Sequence, residues 1–395
     1  MLNDIPQLNF GFENIELSKS FGRRIFQDIV SPIDVPHFRK SRMDGYAVQA
    51  KDTFNAEENN SIPLKLVEII EAGDLPKKSI SKGECAYVAT GAAIPEGADA
   101  VVMVEYSEKE QNNEILISTS VTPKTHIVEI GHDIKKDQVI CLKGKTIDLP
   151  TLGVLASCGL TEVKVFKKPI VSLMSTGNEL VSQGILDLPK GKIFDVNSVV
   201  LRNAVENTGV KVNYIGIIKD IEDDLRKAIK RCLNESDIVI LSGGTSKGEG
   251  DLGPKILEEY KDVDLMIHGV KIKPGKPIVF AKLREKIIFI LPGYPTSALS
   301  CFYVFIDDFL RRLTGKQLRE RFSKELEVGE RIYSSIGRYH FKPVVLNEVD
   351  GVKKIFPIKT GSEAISTLFY SDGYIIIEEL EEIVEKGDIK RFYTY

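Results

Sequence analysis

The sequence predicts a multidomain protein of α/β and β domains, built around a central doubly wound parallel α/β domain. Two observations carry this prediction. From residue 168 onward, near-continuous apolar runs alternate with amphipathic stretches, as in a parallel sheet covered by helices on both faces. Before that, residues 41–135 hold short β-rich runs separated by Gly, Pro and Asn. At 395 residues the chain exceeds one ordinary core, so we expect about two to four domains.

Composition narrows the class of protein. Lys and Arg number 53 against 57 Asp and Glu, a net charge of −4, which disfavours nucleic acid as a partner but permits a local basic pocket. No apolar run approaches the ~18 residues of a membrane span, and the N-terminus lacks a basic leader region. We therefore expect a cytoplasmic protein without a membrane partner. The scattered cysteines predict neither disulfides nor a zinc site, but buried thiols at Cys85, Cys141, Cys158, Cys232 and Cys301.

In the first part of the chain, helical spacing of apolar residues predicts an amphipathic helix over residues 13–30, ended by Ser31-Pro32 and Val35-Pro36. A second helix is predicted at Leu149–Ser157, so two helical segments flank the β-rich region as one discontinuous domain. The β-rich region has predicted strands at Leu64–Ile70, Ala86–Ala89, Ala100–Val104 and Glu114–Ile117.

The second part of the chain alternates strands and helices. Predicted strands are Pro169–Met174, Val210–Ile218, Asp237–Leu241, Ile278–Ala281 and Ile287–Leu291. Predicted helices are Ser198–Asn207, Glu222–Leu233, Lys255–Tyr260 and Thr296–Leu313. The polar stretch Thr314–Phe322 is a predicted linker, followed by β structure at Ile332–Leu346, Lys354–Pro357 and Tyr374–Glu379. The predicted domains are a split linker domain (1–40 plus 136–166), a β-rich domain (41–135), the α/β domain (167–315) and a C-terminal β domain (320–395).

Three loops follow predicted strands of the α/β domain, where ligands bind in open α/β sheets. They are STGNEL at Ser175–Leu180, SGGTSKGEGD at Ser242–Asp251 and LPGYPTSA at Leu291–Ala298. Each combines Gly with Ser or Thr, which lets backbone N–H groups approach an anion, and the third runs into a helix N-terminus. Together they predict a site for a small anionic molecule, with candidate binding residues Thr176, Gly177, Gly243, Gly244, Pro292 and Gly293.

The second loop matches neither GxGxxG nor GxxxxGK[ST], which disfavours dehydrogenases and Walker-type nucleotide sites. Its carboxylates, Glu249 and Asp251, either hold a divalent metal that neutralises a phosphate or form a solvated turn capping the next helix. Downstream, Lys271 and Lys273 share one side of an extended segment, and Lys276 follows the Pro274-Gly275 turn. These lysines either face an oxyanion or pyrophosphate, or protect an exposed strand edge.

Six segments occur in the order found in one family. They are SRMDGYAV (Ser41–Val48), ATGAAIPEGADAVVMVE (Ala89–Glu105), STGNEL, SGGTSKGEGD, KPGKP and LPGYPTSA, followed by Gly337-Arg338 and GSEAISTL (Gly361–Leu368). From about residue 13 onward the chain resembles the molybdopterin molybdenumtransferases, the MoeA and gephyrin E-domain family. The resemblance implies an elongated homodimer whose domains are a split linker domain, a β-rich domain, a doubly wound molybdopterin-binding domain and a β-barrel-like domain.

The implied reaction takes adenylyl-molybdopterin and molybdate, or tungstate in some relatives, to molybdenum cofactor and AMP, assisted by Mg²⁺. The implied partners are a second copy, sharing a composite active site, and the adenylyltransferase that makes the substrate. Two alternatives remain. One is a molybdopterin adenylyltransferase, against which the extra domains and the KPGKP and Gly337-Arg338 motifs argue. The other is a non-enzymatic scaffold related to gephyrin.

The resemblance also implies roles for individual residues. Asp251 matches the carboxylate at the metal and phosphoanhydride, and Glu179 and Asp220 match the other acidic site positions. The residues that match oxyanion or pyrophosphate contacts are Lys273, Lys276, Ser246, Ser297, Arg338 and Ser362. Asp44 and Asp133 match acids that reach the partner subunit's site. His132 and Glu363 depart from the family pattern, and an acid near a dianion is expected to weaken or shift oxyanion binding.

Overall fold

The computed structural model describes residues 10–244, 252–319, 323–361 and 363–395. The chain forms two compact units. Unit 1 comprises Met1–Glu13, Gly22–Arg24 and Lys164–Tyr395, and unit 2 comprises Asn14–Phe21 and Ile25–Val163. Each unit buries its own apolar clusters, so each has a core of its own.

Unit 2 and its borders are mostly β structure. The strands are β1 Phe12–Glu16, β2 Ile29–Val30, β3 Lys40–Ser41, β4 Gly45–Val48, β5 Ile62–Ile70, β6 Glu84–Val88, β7 Ala100–Met103, β8 Ser107–Lys109, β9 Glu114–Ile117, β10 Ile127–Val128, β11 Val139–Cys141 and β12 Glu162–Phe166. The helix α1 spans Leu149–Ser157, and short 3₁₀ turns lie at Leu17–Lys19, Ala50–Thr53, Val104–Tyr106 and Gln111–Asn113. A six-stranded sheet has the order β7-β4-β6-β5-β9-β8. The predicted β-rich region and the helix at Leu149–Ser157 are confirmed.

The predicted helix over residues 13–30 is wrong. The segment consists of short strands, turns and one 3₁₀ turn, with no α-helix. The Leu17 N–H donates to the Thr161 carbonyl at 2.8 Å, and the Ile25 N–H donates to the Lys145 carbonyl at 3.0 Å. Ile29 and Val30 pair with Val139–Cys141. The backbone groups of this segment therefore find partners more than a hundred residues away, and those pairings replace the local helical bonds that the apolar spacing predicted.

The α/β part of unit 1 has strands β13 Ile170–Thr176, β14 Leu180–Val181, β15 Ile193–Phe194, β16 Lys211–Ile218, β17 Ile238–Ser242, β18 Val263–His268, β19 Ile272–Lys273, β20 Val279–Leu283 and β21 Lys286–Leu291. Its helices are α2 Val196–Asn207, α3 Glu222–Glu235, α4 Leu252–Glu258, α5 Pro295–Cys301 and α6 Asp307–Thr314, with a π-helical stretch at Phe302–Ile306 between the last two. The predicted elements overlap members of this set, whereas the strands β14, β15 and β18 were not predicted.

The central sheet has the order β16-β13-β17-β21-β20-β18. The first four strands run parallel, as predicted. The last two are antiparallel: β20 forms a hairpin with β21, and β18 pairs with β20. The doubly wound domain thus has a parallel half, which carries the three glycine-containing loops, and an antiparallel edge.

Alternate residues of the central strands face opposite sides of the sheet. Ile238 and Ile240 pack in one buried cluster with Leu201 of α2 and Phe302, whereas Val239 and Leu241 pack in a second. The second cluster also holds Leu225 and Ile229 of α3 and Ile256 of α4. Burial on both faces explains why β17 and β21 appear in the sequence as continuous apolar runs.

The C-terminal part of unit 1 is a β domain with strands β22 Ser323–Glu327, β23 Ile332–Tyr333, β24 Tyr339–Val349, β25 Val352–Pro357, β26 Gly373–Ile377, β27 Ile383–Val384 and β28 Ile389–Tyr393, and helix α7 Ser366–Phe369. Its sheet has the order β19-β24-β26-β28-β22, with β25 beside β24. A bridge between Val328 and Ile355 brings the end of β22 to β25, so the sheet curls back on itself. The strand β19 comes from the α/β part and joins this sheet.

Two further predictions bear on the class of protein. All five cysteines are free and buried, as expected from their spacing. Within the described ranges, no helix combines the length and the apolar character needed to cross a bilayer.

Candidate functional site

A cavity of about 730 Å³ lies beside the ends of β13, β17 and β21. These strands are neighbours and run parallel, so the loops that follow them leave the sheet at one edge. All three loops contribute to the lining: Thr176 from the first, Ser242 from the second, and Pro292 and Gly293 from the third. The volume is within the roughly 300–1,000 Å³ range of small-molecule sites.

The first loop is bonded to the end of β16. The Thr176 hydroxyl donates to the Asp220 carboxylate, and the Asp220 N–H donates to the Asn178 side-chain oxygen at 3.2 Å. Glu179 lines the cavity, and its carboxylate folds back over Gly177, where a Cβ would lie 2.9 Å from both carboxylate oxygens. Two sequence-predicted acids, Glu179 and Asp220, therefore belong to one bonded pair of loops.

Close approach between the first and second loops requires glycine. Gly243 has a φ of +106°, and a Cβ there would overlap the carbonyl oxygen of Thr176. Gly244 has a φ of +69°, which L side chains rarely adopt. The Gly243 N–H donates to the Leu291 carbonyl at 2.9 Å, which continues the sheet pairing into the loops. The glycines thus allow the three loops to lie next to one another.

Asn197, in the first turn of α2, joins the second and third loops. Its side-chain nitrogen donates to the Ser242 hydroxyl and to the Gly293 carbonyl, both at 2.8 Å, and the residue is buried and lines the cavity. The preceding Asp195 caps the helix by accepting the Ser198 N–H at 3.0 Å. The sequence did not single out Asn197, because a polar residue beside a capping Asp is ordinary at a helix start. Its bridging role depends on the strand order.

The KPGKP segment connects the α/β part to the C-terminal sheet. Ile272 and Lys273 form β19 and pair in parallel with Tyr339 and His340 of β24. Lys271 instead forms an exposed ion pair with Glu379 at 2.7 Å, which raises the pKa of Lys271. Lys273 is half-buried and Lys276 is exposed in the turn that follows. The lysines predicted to share one side therefore have different surroundings.

Two basic residues that the sequence did not single out lie close to Lys273. His340 is buried, and burial, then the charges of Lys273 and Lys342, lower its pKa to about 3. Burial and Lys273 likewise lower the pKa of Lys342, whose ammonium donates to the Ile358 carbonyl at 3.0 Å. The Ser334 hydroxyl is 3.0 Å from Nδ1 of His340. Their proximity to Lys273 depends on the pairing of β19 with β24.

The C-terminal domain also borders the cavity. Glu363 and Ile365 are among its lining residues, and the Thr296 hydroxyl at the start of α5 donates to the Ala364 carbonyl at 2.9 Å. Ser297 is buried in the same helical turn, and Arg338 is half-buried just before β24. Glu363, a departure from the family pattern, therefore places a carboxylate at the border of the cavity.

Four sequence-predicted residues, Ser246, Glu249, Asp251 and Ser362, lie outside the described residues. Within the part of the chain that the structure describes, no group of three or more His, Cys, Asp or Glu side chains is arranged to hold a metal ion. The proposed metal ligands Glu249 and Asp251 are therefore known here from the sequence alone.

Asp44 and Asp133 belong to unit 2. The Asp44 carboxylate accepts the Thr90 N–H at 2.6 Å and the Thr90 hydroxyl at 2.8 Å, and these bonds, the backbone bond first, lower its pKa. Asp133 is exposed, and its N–H donates to the Val35 carbonyl at 3.0 Å. Asp44 is thus held as an ionised carboxylate, in a turn that the family resemblance indicated but no local feature of the sequence singled out.

Comparison with known families matches the chain in three successive parts. The MoeA N-terminal region (domain I and II) matches residues 2–159, a probable molybdopterin binding domain matches residues 172–312, and the MoeA C-terminal region (domain IV) matches residues 325–393. The cavity-forming α/β domain coincides with the second match. These matches place the chain among the multidomain proteins of molybdenum cofactor biosynthesis.

Individual relatives extend over nearly the whole chain. A molybdopterin molybdenumtransferase of Haemophilus influenzae is 32% identical over 379 residues, covering 95% of this chain and 92% of its own. A putative molybdopterin biosynthesis protein of Methanocaldococcus jannaschii is 36% identical, covering 99% and 94%. The crystal structure of the molybdopterin biosynthesis MoeA protein from Pyrococcus horikosii aligns with a TM-score of 0.83 at 35% identity, covering 100% and 96%. The chain belongs to the molybdopterin molybdenumtransferase family, an enzyme family of molybdenum cofactor biosynthesis.

The family predicted from the six ordered motifs is therefore confirmed, and so is the multidomain fold class with its molybdopterin-binding type α/β domain and β-rich C-terminal domain.

Proposed function

We propose that this protein inserts molybdate, or tungstate, into adenylyl-molybdopterin and releases AMP. The observation that carries the proposal is the cavity at the ends of three parallel strands, bordered by a loop of the C-terminal domain. Such a cavity can bind a pterin nucleotide against the glycine-containing loops and an oxyanion near the C-terminal domain. The N- and C-terminal family matches favour this activity over the adenylyltransferase alternative, which needs one domain.

In this proposal the three loops hold the pterin nucleotide. The second loop can approach the first because Gly243 has no Cβ, and Asn197 holds the second and third loops together. The proposed contacts are Thr176, Gly177, Gly243, Gly244, Pro292 and Gly293, of which Thr176, Pro292 and Gly293 line the cavity directly.

Mg²⁺ is the proposed metal. Its proposed ligands are Asp251 and Glu249, because carboxylates are the hard oxygen donors that Mg²⁺ prefers. Glu179 and Asp220, at the ends of neighbouring strands, are the other proposed acidic residues of the site. When bound, the metal would neutralise negative charge that develops on the phosphoanhydride as AMP leaves. The hydroxyl of Thr176 holds Asp220 in position by donating to its carboxylate.

The oxyanion is proposed to bind where the α/β part meets the C-terminal domain. Molybdate is a tetrahedral dianion, so it requires fixed cations and hydroxyl donors. The proposed contacts are Lys273, Lys276, Arg338, Ser297, Ser246 and Ser362. Lys273 and Arg338 are half-buried near the β19–β24 pairing, which supports this position.

We infer a homodimer in which Asp44 and Asp133 serve the partner's site. We also infer that the protein contacts the adenylyltransferase, that it is cytoplasmic, and that its four domains have the predicted bounds. Sedimentation velocity at working concentration would measure the dimer.

Turnover of adenylyl-molybdopterin with molybdate and with tungstate, followed by AMP release, tests the proposed function. We expect AMP release that depends on oxyanion and Mg²⁺. ATP-dependent adenylylation of metal-free molybdopterin would instead show an adenylyltransferase. Absence of both activities, together with tight binding of a protein partner, would show a scaffold.

A further inference from the structure

Three nitrogen-bearing side chains, Lys273, His340 and Lys342, form what we call the basic cluster. Lys273 and His340 are directly paired across the parallel strands β19 and β24, and Lys342 follows His340 by two residues on β24. Side chains two apart on a strand share a face, and so do directly paired residues. The three groups therefore share one face of the C-terminal sheet, at its junction with the α/β part.

The basic cluster differs from the other partly buried lysines of this domain in lacking acidic partners. Lys354 pairs with Glu327 at 2.7 Å, and Lys390 pairs with Glu381 at 2.6 Å. Within the described ranges, Lys342 makes no ion pair, and its bond is to the Ile358 carbonyl. Lys273 makes no ion pair with a described residue either. Half-buried ammonium groups without carboxylates are costly, because each loses hydration without gaining an opposite charge.

His340 limits that cost by remaining neutral. Its buried ring is held beside the Ser334 hydroxyl at 3.0 Å, and its pKa of about 3 keeps it uncharged at neutral pH. The basic cluster then presents two positive charges, from Lys273 and Lys342. An ammonium has three donors, so Lys342 retains two after its bond to Ile358. Two charges with free donors complement a dianion.

We propose that Lys342 is a direct contact of the tetrahedral oxyanion, and that His340 is a positioning residue that spaces Lys342 from Lys273. This inference rests on the proposed function and adds to it a cation that the family motifs did not indicate. It explains why two half-buried lysines share one face of the sheet without an ion-pair partner among the described residues: the substrate supplies the missing negative charge.

The test compares Lys342→Met, Lys342→Gln and Lys342→Arg with Lys354→Met as the matched control. Lys354 lies on the neighbouring strand β25, is also partly buried, and has a carboxylate partner. Two quantities are measured: the molybdate concentration for half-maximal AMP release, and the rise in melting temperature caused by molybdate alone. The second measurement requires no pterin and no turnover.

We expect Lys342→Met and Lys342→Gln to raise half-saturating molybdate about 10- to 100-fold, the value of one charged hydrogen bond, with the half-saturating pterin nucleotide unchanged. The melting-temperature rise with molybdate should shrink in parallel. Lys342→Arg should retain most of both effects, since it keeps the charge. Lys354→Met should respond to molybdate like the wild type, even if it melts at a lower temperature.

Wild-type molybdate dependence in both Lys342→Met and Lys342→Gln would overturn the inference, while oxyanion-dependent AMP release would leave the proposed function standing. Conversely, a wild type that is stabilised by molybdate through Lys342 but releases no AMP would support the oxyanion contact and reject the proposed function. If Lys342→Met does not fold, Lys342→Gln decides, because it keeps a donor for the Ile358 carbonyl.

Discussion

Asn197→Ala tests whether one buried amide holds the cavity together. The substitution removes two hydrogen bonds, to the Ser242 hydroxyl and the Gly293 carbonyl. A typical hydrogen bond contributes about 1 kcal/mol net, and a buried group left unpaired costs about 1–3 kcal/mol. Ser242 is buried, whereas Gly293 is exposed, so water can replace only the second partner easily. The lost bond to Gly293 costs about 1 kcal/mol, and the buried Ser242 hydroxyl left unpaired costs at least about 1 kcal/mol. We therefore expect a loss of free energy of unfolding of about 2 kcal/mol.

The assay is thermal unfolding combined with AMP release. For a domain of roughly 150–250 residues, a loss of about 2 kcal/mol corresponds to a melting temperature lower by roughly 4–8 °C. The half-saturating concentration of pterin nucleotide should also rise, because the second and third loops lose their common support. A double variant with Ser242→Ala should be less destabilised than the sum of the single variants, since both remove the same bond.

Asn203→Ala is the matched control for this prediction. Asn203 lies on the same helix, is exposed, and donates to the Val199 carbonyl at 2.8 Å. We expect it to change stability by less than about 0.5 kcal/mol. If Asn197→Ala has the melting temperature of the wild type, or if Asn197→Ala and Asn203→Ala lower the melting temperature equally, the amide does not hold the loops and the reasoning is refuted.

Three other substitutions test separate parts of the site. Asp251→Asn should lower AMP release by orders of magnitude while part of the nucleotide binding survives, because the lost charge would hold the metal. Glu363→Gln should lower half-saturating molybdate severalfold, as measured by titration, since it removes a carboxylate from the border of the cavity. His340→Gln should flatten the loss of stability on acidification. In the folded state the pKa of His340 is about 3, against an ordinary 6.5, so the unfolded state binds the proton more readily. The wild type should therefore lose stability as the pH drops from about 6.5 to about 3, which thermal melts over that pH range measure.

Each of these has an outcome that contradicts it. Undiminished AMP release by Asp251→Asn would mean that the loop acids merely cap the next helix. The control is Glu258→Gln, which changes an exposed acid of α4. An unchanged molybdate titration for Glu363→Gln, compared with Glu382→Gln, would place the oxyanion away from that carboxylate. Parallel acid-stability curves for the wild type and His340→Gln would show that folding does not lower the pKa of His340.

Much of the α/β domain was predictable because its signals are local. The strands β17 and β21 are buried on both faces, so nearly every residue in them is apolar, and a run of that kind stands out in the sequence. The same holds outside that domain for the helix α1, which begins where Asp148 accepts the Thr151 N–H at 2.9 Å, a capping pattern within four residues. The glycines of the loops were noticed for the same reason: their residue type reports the backbone conformation required at that position.

The site was predictable in outline, since three glycine-containing loops after consecutive parallel strands of one domain point to a common edge. Individual contacts were not. Lys271 and Lys273 have the same residue type and the spacing of one strand face, yet Lys271 pairs with Glu379 while Lys273 lies beside His340. Which lysine has an acidic neighbour depends on Glu379, 108 positions after Lys271 in the chain, and periodicity carries no information about it.

By itself, the sequence determined the fold class, the family and the set of loops, because apolar periodicity, capping and glycine content are properties of neighbouring residues. The tertiary structure alone decided that residues 13–30 form no α-helix, that β18 and β20 run antiparallel and that Asn197 bridges two loops. It also decided that Lys342 lies two residues beyond His340, the strand partner of Lys273. Each of these depends on hydrogen bonds or charges from residues distant in the chain. Local propensities are worth less than about 1 kcal/mol per residue, and such distant partners override them.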